Sequence, residues 1–444
     1  MNNTVRFVNS IHQIGTDTWQ RLSNTDNPFL RFEFLAALED SQCIDSVNQG
    51  IALNSGWIPN YAVLENQDVK NEESTILAIA PVFQKRHSYG EYVFDWGWAE
   101  AYERNGLKYY PKLVWAIPFT PSTGPRLISR GNPQQLEQYH QKIAEGLTHY
   151  CQNNNFSGWH CLFPDSFSHK SLTHKTLENE TLLDYSISKV MPRTSCQFHW
   201  FNDNGLDKKG FNNRFTDFSN YLEKFTSRKR KNIKKERSRL LESGFIFNKK
   251  VANDITPEDI ENFYHCYQLT YAKRNMRGYL TLSFFQQILQ TMPDQLLLVQ
   301  AQYPATDEDK YQSDYRNSIV ANALYFKDAD NLYGRYWGCL EEFDSLHFEC
   351  CYYQGIEYCI EHDISHFDPG TQGEHKISRG FEPTICHSQH WIAHPQFSQA
   401  IGDFLKEEQL DIKDYATQAA THLPFNHDAL KSSLSPLTPP IYTK

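Results

Sequence analysis

The stretch between residues 332 and 383 constrains the fold most, because it combines the aromatic content of a buried core with many ionisable side chains. It is rich in Tyr, Trp and Phe, which favour burial. The ionisable residues inside it include Arg335, His347, Glu349, Glu374, His375, Lys376 and Arg379. A buried charge is costly unless it is paired or used in function. Apolar walls with several converging ionisable groups are typical of an active-site cleft, so we predict one here.

Length and composition predict a water-soluble chain of two domains. A chain of 444 residues is long enough for two separate cores. The mean hydropathy is −0.62, and no apolar run is as long as a membrane span. The first seven residues lack the apolar core of a signal peptide, so we expect a cytoplasmic protein whose ten cysteines are reduced.

One segment is strongly basic although the chain carries a net charge of −10. Residues 228–239 contain eight basic side chains and one acid, Glu236, on a helix that we predict over residues 219–243. A solvated helix face is one interpretation, and a phosphate-binding surface for tRNA or a phosphorylated acceptor is the other. The second interpretation assigns phosphate contacts to Arg228, Lys229, Arg230, Lys231, Lys234 and Lys235.

Helical and strand patterns are mixed in both halves, which indicates an α+β fold. The linker signals are Met191-Pro-Arg-Thr and the polar run 202–210, so we predict domains at 1–200 and 201–400 and a C-terminal helix with a Pro-rich tail at 401–444. Among the predicted elements are a strand at 92–96 and helices at 134–153, 257–273, 346–362 and 395–408.

Several longer phrases resemble the FemAB-like predicted N-acyltransferases, bacterial relatives of the peptidoglycan-bridge enzymes within the GNAT superfamily. The phrases are Gly90–Ala99, Tyr109–Lys112, Pro118–Pro121 with Gly124–Arg126, Arg228–Glu236, Tyr333–Trp337, His347–Tyr352 and Gln372–Lys376, and the resemblance spans about residues 90–395. It implies two tandem GNAT-like domains, each a mixed, mostly antiparallel sheet flanked by helices. It also implies transfer of an acyl or aminoacyl group, with aminoacyl-tRNA as a candidate donor, to an amine on a peptide, a cell-wall precursor or a small molecule.

The residues of the 332–383 stretch suit such a reaction. Acyl transfer to an amine needs a neutral amine, a polarised carbonyl and a group that takes up a proton. Glu374 and His375 are the predicted proton-handling pair, and Lys376 and Arg379 are predicted to bind a phosphate or carboxylate. The alternative is a structural ion pair between Glu374 and Arg379. Further predicted substrate contacts are Tyr333, Arg335, His347 and Glu349.

A second polar and aromatic set lies in the first half. Asp95, Trp96, Lys112 and Arg126 are predicted substrate-binding residues. The two cations suit an anionic acceptor, although such residues are as often partners in salt bridges.

Neither a metal nor a tightly bound cofactor is expected. His347 and Glu349 form an H-x-E pair, but the Cys motif that accompanies this pair in zinc deaminases is missing. The loop at 339–345 contains three acids, which would repel the pyrophosphate of coenzyme A. This argues against coenzyme A at that position but not at a site in the first half, so aminoacyl-tRNA and acyl-CoA are both candidate donors. An acyl-CoA-dependent transferase acting on a small amine and a non-catalytic polyanion-binding protein on a degenerate GNAT fold are the two alternatives.

Overall fold

The computed structural model describes residues 3–45, 55–66, 75–173, 190–205, 213–303, 318–371 and 373–426. The described residues form two compact units. Unit 1 contains those of 1–195 and 385–414, and unit 2 contains those of 196–384 and from 415 onward. Residues 385–414 thus group with the first unit, although the sequence-based division placed a boundary at 400. The predicted Pro-rich tail and Gln372 lie outside the described residues.

Helices and strands alternate along both units. The strands are β1 (Asn3–Val8), β2 (Trp57–Pro59), β3 (Tyr61–Asn66), β4 (Thr75–Ala80), β5 (Val82–Lys85), β6 (Lys112–Trp115), β7 (Ile128–Ser129), β8 (Gly158–Leu162), β9 (Met191–Phe201), β10 (Ile246–Val251), β11 (Leu296–Gln302), β12 (Ile319–Lys327), β13 (Asn331–Cys339), β14 (His366–Asp368) and β15 (Glu382–Ile392). The α-helices are α1 (Thr16–Leu22), α2 (Phe32–Asp40), α3 (Trp96–Arg104), α4 (Pro133–Asn154), α5 (Ser166–Thr173), α6 (Phe218–Glu223), α7 (Ser227–Glu242), α8 (Pro257–Ala272), α9 (Leu282–Thr291), α10 (Leu346–Phe348), α11 (Gln354–Glu361) and α12 (Pro395–Ala420).

Unit 1 contains two sheets, with strand orders β1-β3-β4-β7 and β15-β8-β6-β5-β2. Its parallel pair is β6 and β8, which are connected in the chain through α4. Helix α4 starts with a capping box between Asn132 and Gln135. Its Ile143 and Leu147 are fully buried in a core with Trp115. The helix therefore covers one face of the sheet that holds the parallel pair.

Unit 2 is built on the strand order β10-β11-β12-β13-β14-β9, in which only β13 and β14 are parallel. The connection between these two strands is helical throughout: α10, a π-helix at Glu349–Tyr353, and α11. Both units are thus mixed, mostly antiparallel sheets with flanking helices. The α+β fold class is confirmed.

The helix predicted at 395–408 extends to Ala420, and three other local predictions differ from the structure. The predicted basic helix consists of α6 and α7, because the chain turns at Phe225, which is buried. Met191-Pro-Arg-Thr is not a linker but the start of β9, where a proline is tolerated because it lies next to the first residue of the strand. Residues 92–95 form no strand, and α3 begins at Trp96. Among the described helices, none is both long and apolar enough to cross a membrane.

Candidate functional site

The sheet of unit 2 opens between β13 and β14. The two strands pair only over Asn331–Tyr333 and His366–Asp368. Beyond this point β13 continues to Cys339 next to β12, whereas β14 has ended. Arg335 and Trp337, which follow the last paired residue of β13, are half-buried. Ligands commonly bind where neighbouring parallel strands separate beyond their carboxyl ends, so this opening is the candidate site.

Imidazole and aromatic rings gather next to the opening. The Tyr352 hydroxyl lies 2.8 Å from Nε2 of His375. The His347 ring packs edge-on against Trp337, with ring centres 5.3 Å apart, and its centre is 6.0 Å from that of His375. Tyr352 belongs to the π-helix Glu349–Tyr353, and such irregular turns inside helices occur frequently at functional sites. The structure therefore brings His347 and His375 together, and their predicted roles in the reaction stay predictions.

Both imidazoles are held in the neutral form at neutral pH. Burial, together with the nearby His375, Arg379 and Lys376, lowers the pKa of His347 to about 4. The pKa of His375 is also lowered, by burial first and then by Arg379 and Lys376. A neutral imidazole has an unprotonated nitrogen, so it can take up a proton from an amine. His375 is the more accessible of the two, because it is exposed and His347 is half-buried.

Lys376 places a buried cation beside the opening. Its side chain is fully buried, and Nζ donates to the carbonyl oxygen of Gly370. Burial lowers the pKa of Lys376 to about 8, while the carboxylate of Asp368 opposes this change and Arg335 adds to it. The ammonium group is still mostly charged at pH 7. A buried positive charge of this kind stabilises negative charge that develops on a carbonyl oxygen.

A buried chain of polar groups lies behind Lys376, and sequence reasoning did not identify it. Asp368 ends β14 and is 1% exposed. Its Oδ1 accepts the backbone N–H of Gly370 at 2.9 Å and lies 3.6 Å from Nε2 of His199. Nδ1 of His199 is 2.9 Å from Nε2 of His366. Because His199 and His366 are 167 residues apart in sequence, no local motif indicates this arrangement.

Glu374 and Arg379 have partners other than each other. Glu374 is exposed and accepts a hydrogen bond from the Tyr415 hydroxyl at 2.8 Å. The Arg379 guanidinium pairs with Glu236 at 2.9 Å and stacks on Phe348. The alternative Glu374–Arg379 ion pair is therefore not formed. The predicted role of Glu374 in proton transfer stays a prediction.

Two further residues that were predicted to contact substrate are hydrogen-bonded to other residues of unit 2. Glu349 accepts hydrogen bonds from Arg237 of α7, at 2.9 Å, and from Gln354, at 2.8 Å. The Tyr333 hydroxyl donates to Asp328 at 2.9 Å. These contacts favour structural roles for Glu349 and Tyr333 over the predicted contact with substrate.

The basic helix α7 has two different faces. Ile233 and Leu240 are buried, and Glu236 and Arg237, at the same helical spacing, are half-buried and paired. The predicted phosphate-binding residues lie mostly on the outer face: Arg228, Lys231, Lys234 and Lys235 are exposed, and Lys229 and Arg230 are half-buried. Within the described ranges these six cations form no ion pair. An uncompensated positive surface attracts polyanions.

In unit 1, the predicted substrate-binding residues differ in their contacts and in their exposure. Arg126 is 2% exposed and donates to the backbone carbonyl oxygens of Ser122, Gly124, Pro125 and Leu162. This favours a structural role over the predicted binding of an anion. Lys112 and Asp95 are buried and paired with each other, and Trp96 is 41% exposed.

No group of three or more potential His, Cys, Asp and Glu metal ligands occurs in the part of the chain that the structure describes. The expectation that the protein holds no metal stays a prediction.

The arrangement can be compared with known proteins. A family model named FemAB-like and described as peptidoglycan biosynthesis/recognition matches residues 10–427. The chain belongs to the FemAB-like family. This confirms the resemblance read from the motifs. The family model extends beyond the region of that resemblance on both sides, so both units belong to the matched region. Curated proteins give no significant match.

Solved structures with low sequence identity also match. A crystal structure of FemX is 11% identical over 90% of this chain and 100% of its own, with a TM-score of 0.47. L-PGS from Bacillus licheniformis is 8% identical over 74% of this chain and 84% of its own, with a TM-score of 0.42. A tandem GNAT protein from the clavulanic acid biosynthesis pathway is 9% identical over 88% of this chain and 99% of its own, with a TM-score of 0.39.

Proposed function

We propose that this FemAB-like protein is an N-acyltransferase that moves an acyl or aminoacyl group to an amine at the opening between β13 and β14. The observation that carries the proposal is the neutral His375, bonded to Tyr352, next to the buried ammonium group of Lys376. A proton acceptor beside a carbonyl-polarising cation is what transfer to an amine requires.

The residues supply two parts of the reaction. The amine nitrogen attacks the carbonyl carbon of the donor, and the carbonyl oxygen gains negative charge that Lys376 stabilises. His375 takes the proton that the nitrogen loses as the new N–C bond forms. For an ester donor the C–O bond then breaks, and the departing hydroxyl oxygen receives the proton from His375. No covalent intermediate with the protein is needed, and His375 returns to its neutral form.

The favoured donor is an aminoacyl-tRNA. The outer face of α7 presents Arg228, Lys231, Lys234 and Lys235 to solvent, which suits contacts with tRNA phosphates. The loop that follows β13 contains Glu341, Glu342 and Asp344, which disfavours the pyrophosphate of coenzyme A at that position. An acyl-CoA donor remains the alternative, and the basic face of α7 is the feature that distinguishes the two.

Binding of tRNA is tested by exchanging charges on α7. Lys234→Glu with Lys235→Glu should weaken tRNA binding by at least tenfold at low salt and flatten its dependence on salt concentration. The matched control is Lys170→Glu with Lys406→Glu, which changes the net charge equally at two exposed positions in unit 1. Equal binding by both double variants would remove the support for a tRNA donor. Small phosphorylated donors would then be tested in its place.

We propose an amine on a cell-wall precursor as the acceptor, since the family is described as one of peptidoglycan biosynthesis/recognition. The assay supplies total tRNA charged with labelled amino acids and a muropeptide that carries a free side-chain amine. Label should pass to the muropeptide, and Lys376→Met should reduce the rate about a hundredfold. His362→Ala, which alters an exposed histidine that follows α11 and stacks on Tyr358, serves as the control and should leave the rate unchanged. A wild-type protein that transfers no label from any donor, acyl-CoA included, would contradict the proposal.

A further inference from the structure

The loop 88–96 of unit 1 has two unlike faces. On the outside, Tyr89, Phe94 and Trp96 are 56%, 66% and 41% exposed. The rings of Tyr89 and Trp96 touch, with centres 4.9 Å apart. On the inside, Glu91 and Asp95 are each only 3% exposed. The loop therefore combines exposed aromatic rings with two buried carboxylates, which the proposed acyl transfer in unit 2 does not use.

Lys112 is the cation that bonds both carboxylates, and all of its hydrogen-bond donors are used. Lys112 is fully buried and donates to Ser88 at 2.8 Å, to Oε2 of Glu91 at 2.8 Å and to Oδ2 of Asp95. An ammonium group has three N–H bonds, so all of them are used. The nearby Lys85 donates to the Tyr89 carbonyl oxygen at 3.0 Å.

One oxygen of each carboxylate is left over. Oε1 of Glu91 and Oδ1 of Asp95 are buried and have no hydrogen-bond partner within the described residues. A carboxylate oxygen buried without a donor is costly, because it has lost its contact with water and gained nothing in exchange. Both carboxylates bond the ammonium group of Lys112, so the two free oxygens belong to one cluster, which a further cationic N–H donor would complete.

A chain of hydrogen bonds keeps Asp95 in place and ionised. The Tyr109 hydroxyl donates to Oδ2 of Asp95 at 2.6 Å and lies 3.2 Å from Nε2 of His160. Nδ1 of His160 is 2.6 Å from Nδ1 of His390, whose Nε2 is 2.8 Å from the Ser388 hydroxyl. Because Tyr109 gives its proton to Asp95, Nε2 of His160 must donate to Tyr109, and His390 must donate to Nδ1 of His160. The carboxylate of Asp95 is therefore fixed as an acceptor.

We propose that unit 1 binds the primary ammonium group of an amine at Oε1 of Glu91 and Oδ1 of Asp95, in the loop that presents the rings of Tyr89 and Trp96. A primary ammonium group carries three N–H donors and a positive charge, which match two carboxylate oxygens and the faces of aromatic rings. The site is independent of the acyl-transfer site proposed in unit 2.

The test uses benzylamine as a probe and benzyl alcohol as its uncharged counterpart, with binding followed by saturation-transfer NMR on the full-length protein at pH 8. Benzylamine should bind at least tenfold more tightly than benzyl alcohol, because only the amine supplies charge-assisted hydrogen bonds. Equal binding of the two probes would overturn the proposal. Displacement of benzylamine by Nα-acetyl-lysinamide would assign the site to amines carried by peptides, and failure to displace it would assign the site to free small amines.

Substitutions in the loop test whether benzylamine binds at the proposed site. Glu91→Gln should weaken benzylamine binding about tenfold, and Trp96→Ala about two- to fivefold. Glu103→Gln, which changes an exposed carboxylate on α3, is the matched control and should have no effect. If Glu91→Gln does not fold, Trp96→Ala tests whether the probe binds at this loop, because the Trp96 side chain is partly exposed. Unchanged affinity in Trp96→Ala and in every folded Glu91 variant would overturn the proposal.

The dependence on pH gives an independent check. Burial raises the pKa of Glu91 to about 7, with Asp95 adding to this and Lys112 opposing it. Burial also lowers the pKa of Lys85 to about 7, against the attraction of Glu91, Asp95 and Asp45. As pH rises from 6 to 8, Glu91 gains negative charge and Lys85 loses positive charge, while benzylamine stays protonated. Binding should therefore tighten with rising pH, and weaker binding at pH 8 than at pH 6 would contradict the site.

Discussion

Arg237 should be the residue of the basic helix whose removal costs the most stability. Its guanidinium contacts Glu349 at 2.9 Å and Glu357 at 2.6 Å. The Arg237 side chain is 19% exposed, and those of Glu349 and Glu357 are 3% and 23% exposed. Arg237→Ala would leave the Glu349 carboxylate buried without its cation, with Gln354 as its remaining donor.

The expected loss of stability in Arg237→Ala follows from the burial of the Glu349 carboxylate. Removing one partner of a buried ion pair costs about 3–5 kcal/mol. Since Arg237 and Glu357 keep some contact with water, we expect about 3 kcal/mol, at the lower end of this range. For a unit of this size, a loss of that magnitude lowers the melting temperature by about 6–12 °C.

Calorimetry of wild type and variants measures this directly. The control is Arg239→Ala on the same helix, because Arg239 and its partner Asp344 are 55% and 75% exposed. Exposed pairs contribute about 0–1 kcal/mol, so the melting temperature of the control should change by no more than about 4 °C. Combining Arg237→Ala with Glu349→Gln should recover part of the loss, because the unpaired charge is then removed as well. Equal effects of Arg237→Ala and Arg239→Ala would refute the inference that Arg237 anchors α7.

Three further outcomes are expected for residues of unit 2 and for the metal content of the protein. Because burial lowers the pKa of His347 to about 4, its imidazole NMR signals should not titrate between pH 5 and 8, and a midpoint near 6.5 would contradict the burial. The pKa of Lys376 is about 8 in the folded protein, below its ordinary value, so the unfolded chain binds more protons between pH 8 and 10. Wild type should therefore gain stability relative to Lys376→Met as pH rises through this range, and a parallel pH dependence of the two proteins in denaturant titrations would contradict it. Elemental analysis of the purified protein should find no stoichiometric zinc, and one tightly held zinc per chain would make His347 and His375 candidate ligands.

Sequence signals predicted the elements whose cause is local. Helix α8 starts at Pro257 as predicted, because Thr256 caps its first turn and proline is favoured at the first helical position. Helix α4 likewise follows from its 3.6-residue apolar spacing. The strand expected at 92–96 is wrong because the strand preference of aromatic residues depends on their surroundings: residues 92–95 pair with no strand, and Trp96 begins α3.

The candidate site was only partly predictable for the same reason. His375 and Lys376 are adjacent in the sequence, and the aromatic residues around them are enough to indicate a functional cleft. The partners of Lys376 could not be predicted in this way. Asp368 lies beside Lys376 and His199 only because β14 places it there. Arg237 is one of eight basic residues at 228–239, and nothing in its spacing distinguishes it from Arg239. Pairing between distant segments therefore fixes most of what sequence reasoning missed.

Chemical rescue tests the central claim most directly, namely that His375 accepts the proton in acyl transfer at unit 2. His375 is exposed, so the space left in His375→Ala is open to imidazole from solution. The variant should transfer acyl groups about a hundredfold more slowly than wild type, and added imidazole should restore a large part of the rate while leaving wild type unchanged. A His375→Ala protein that is as active as wild type without imidazole would contradict the account.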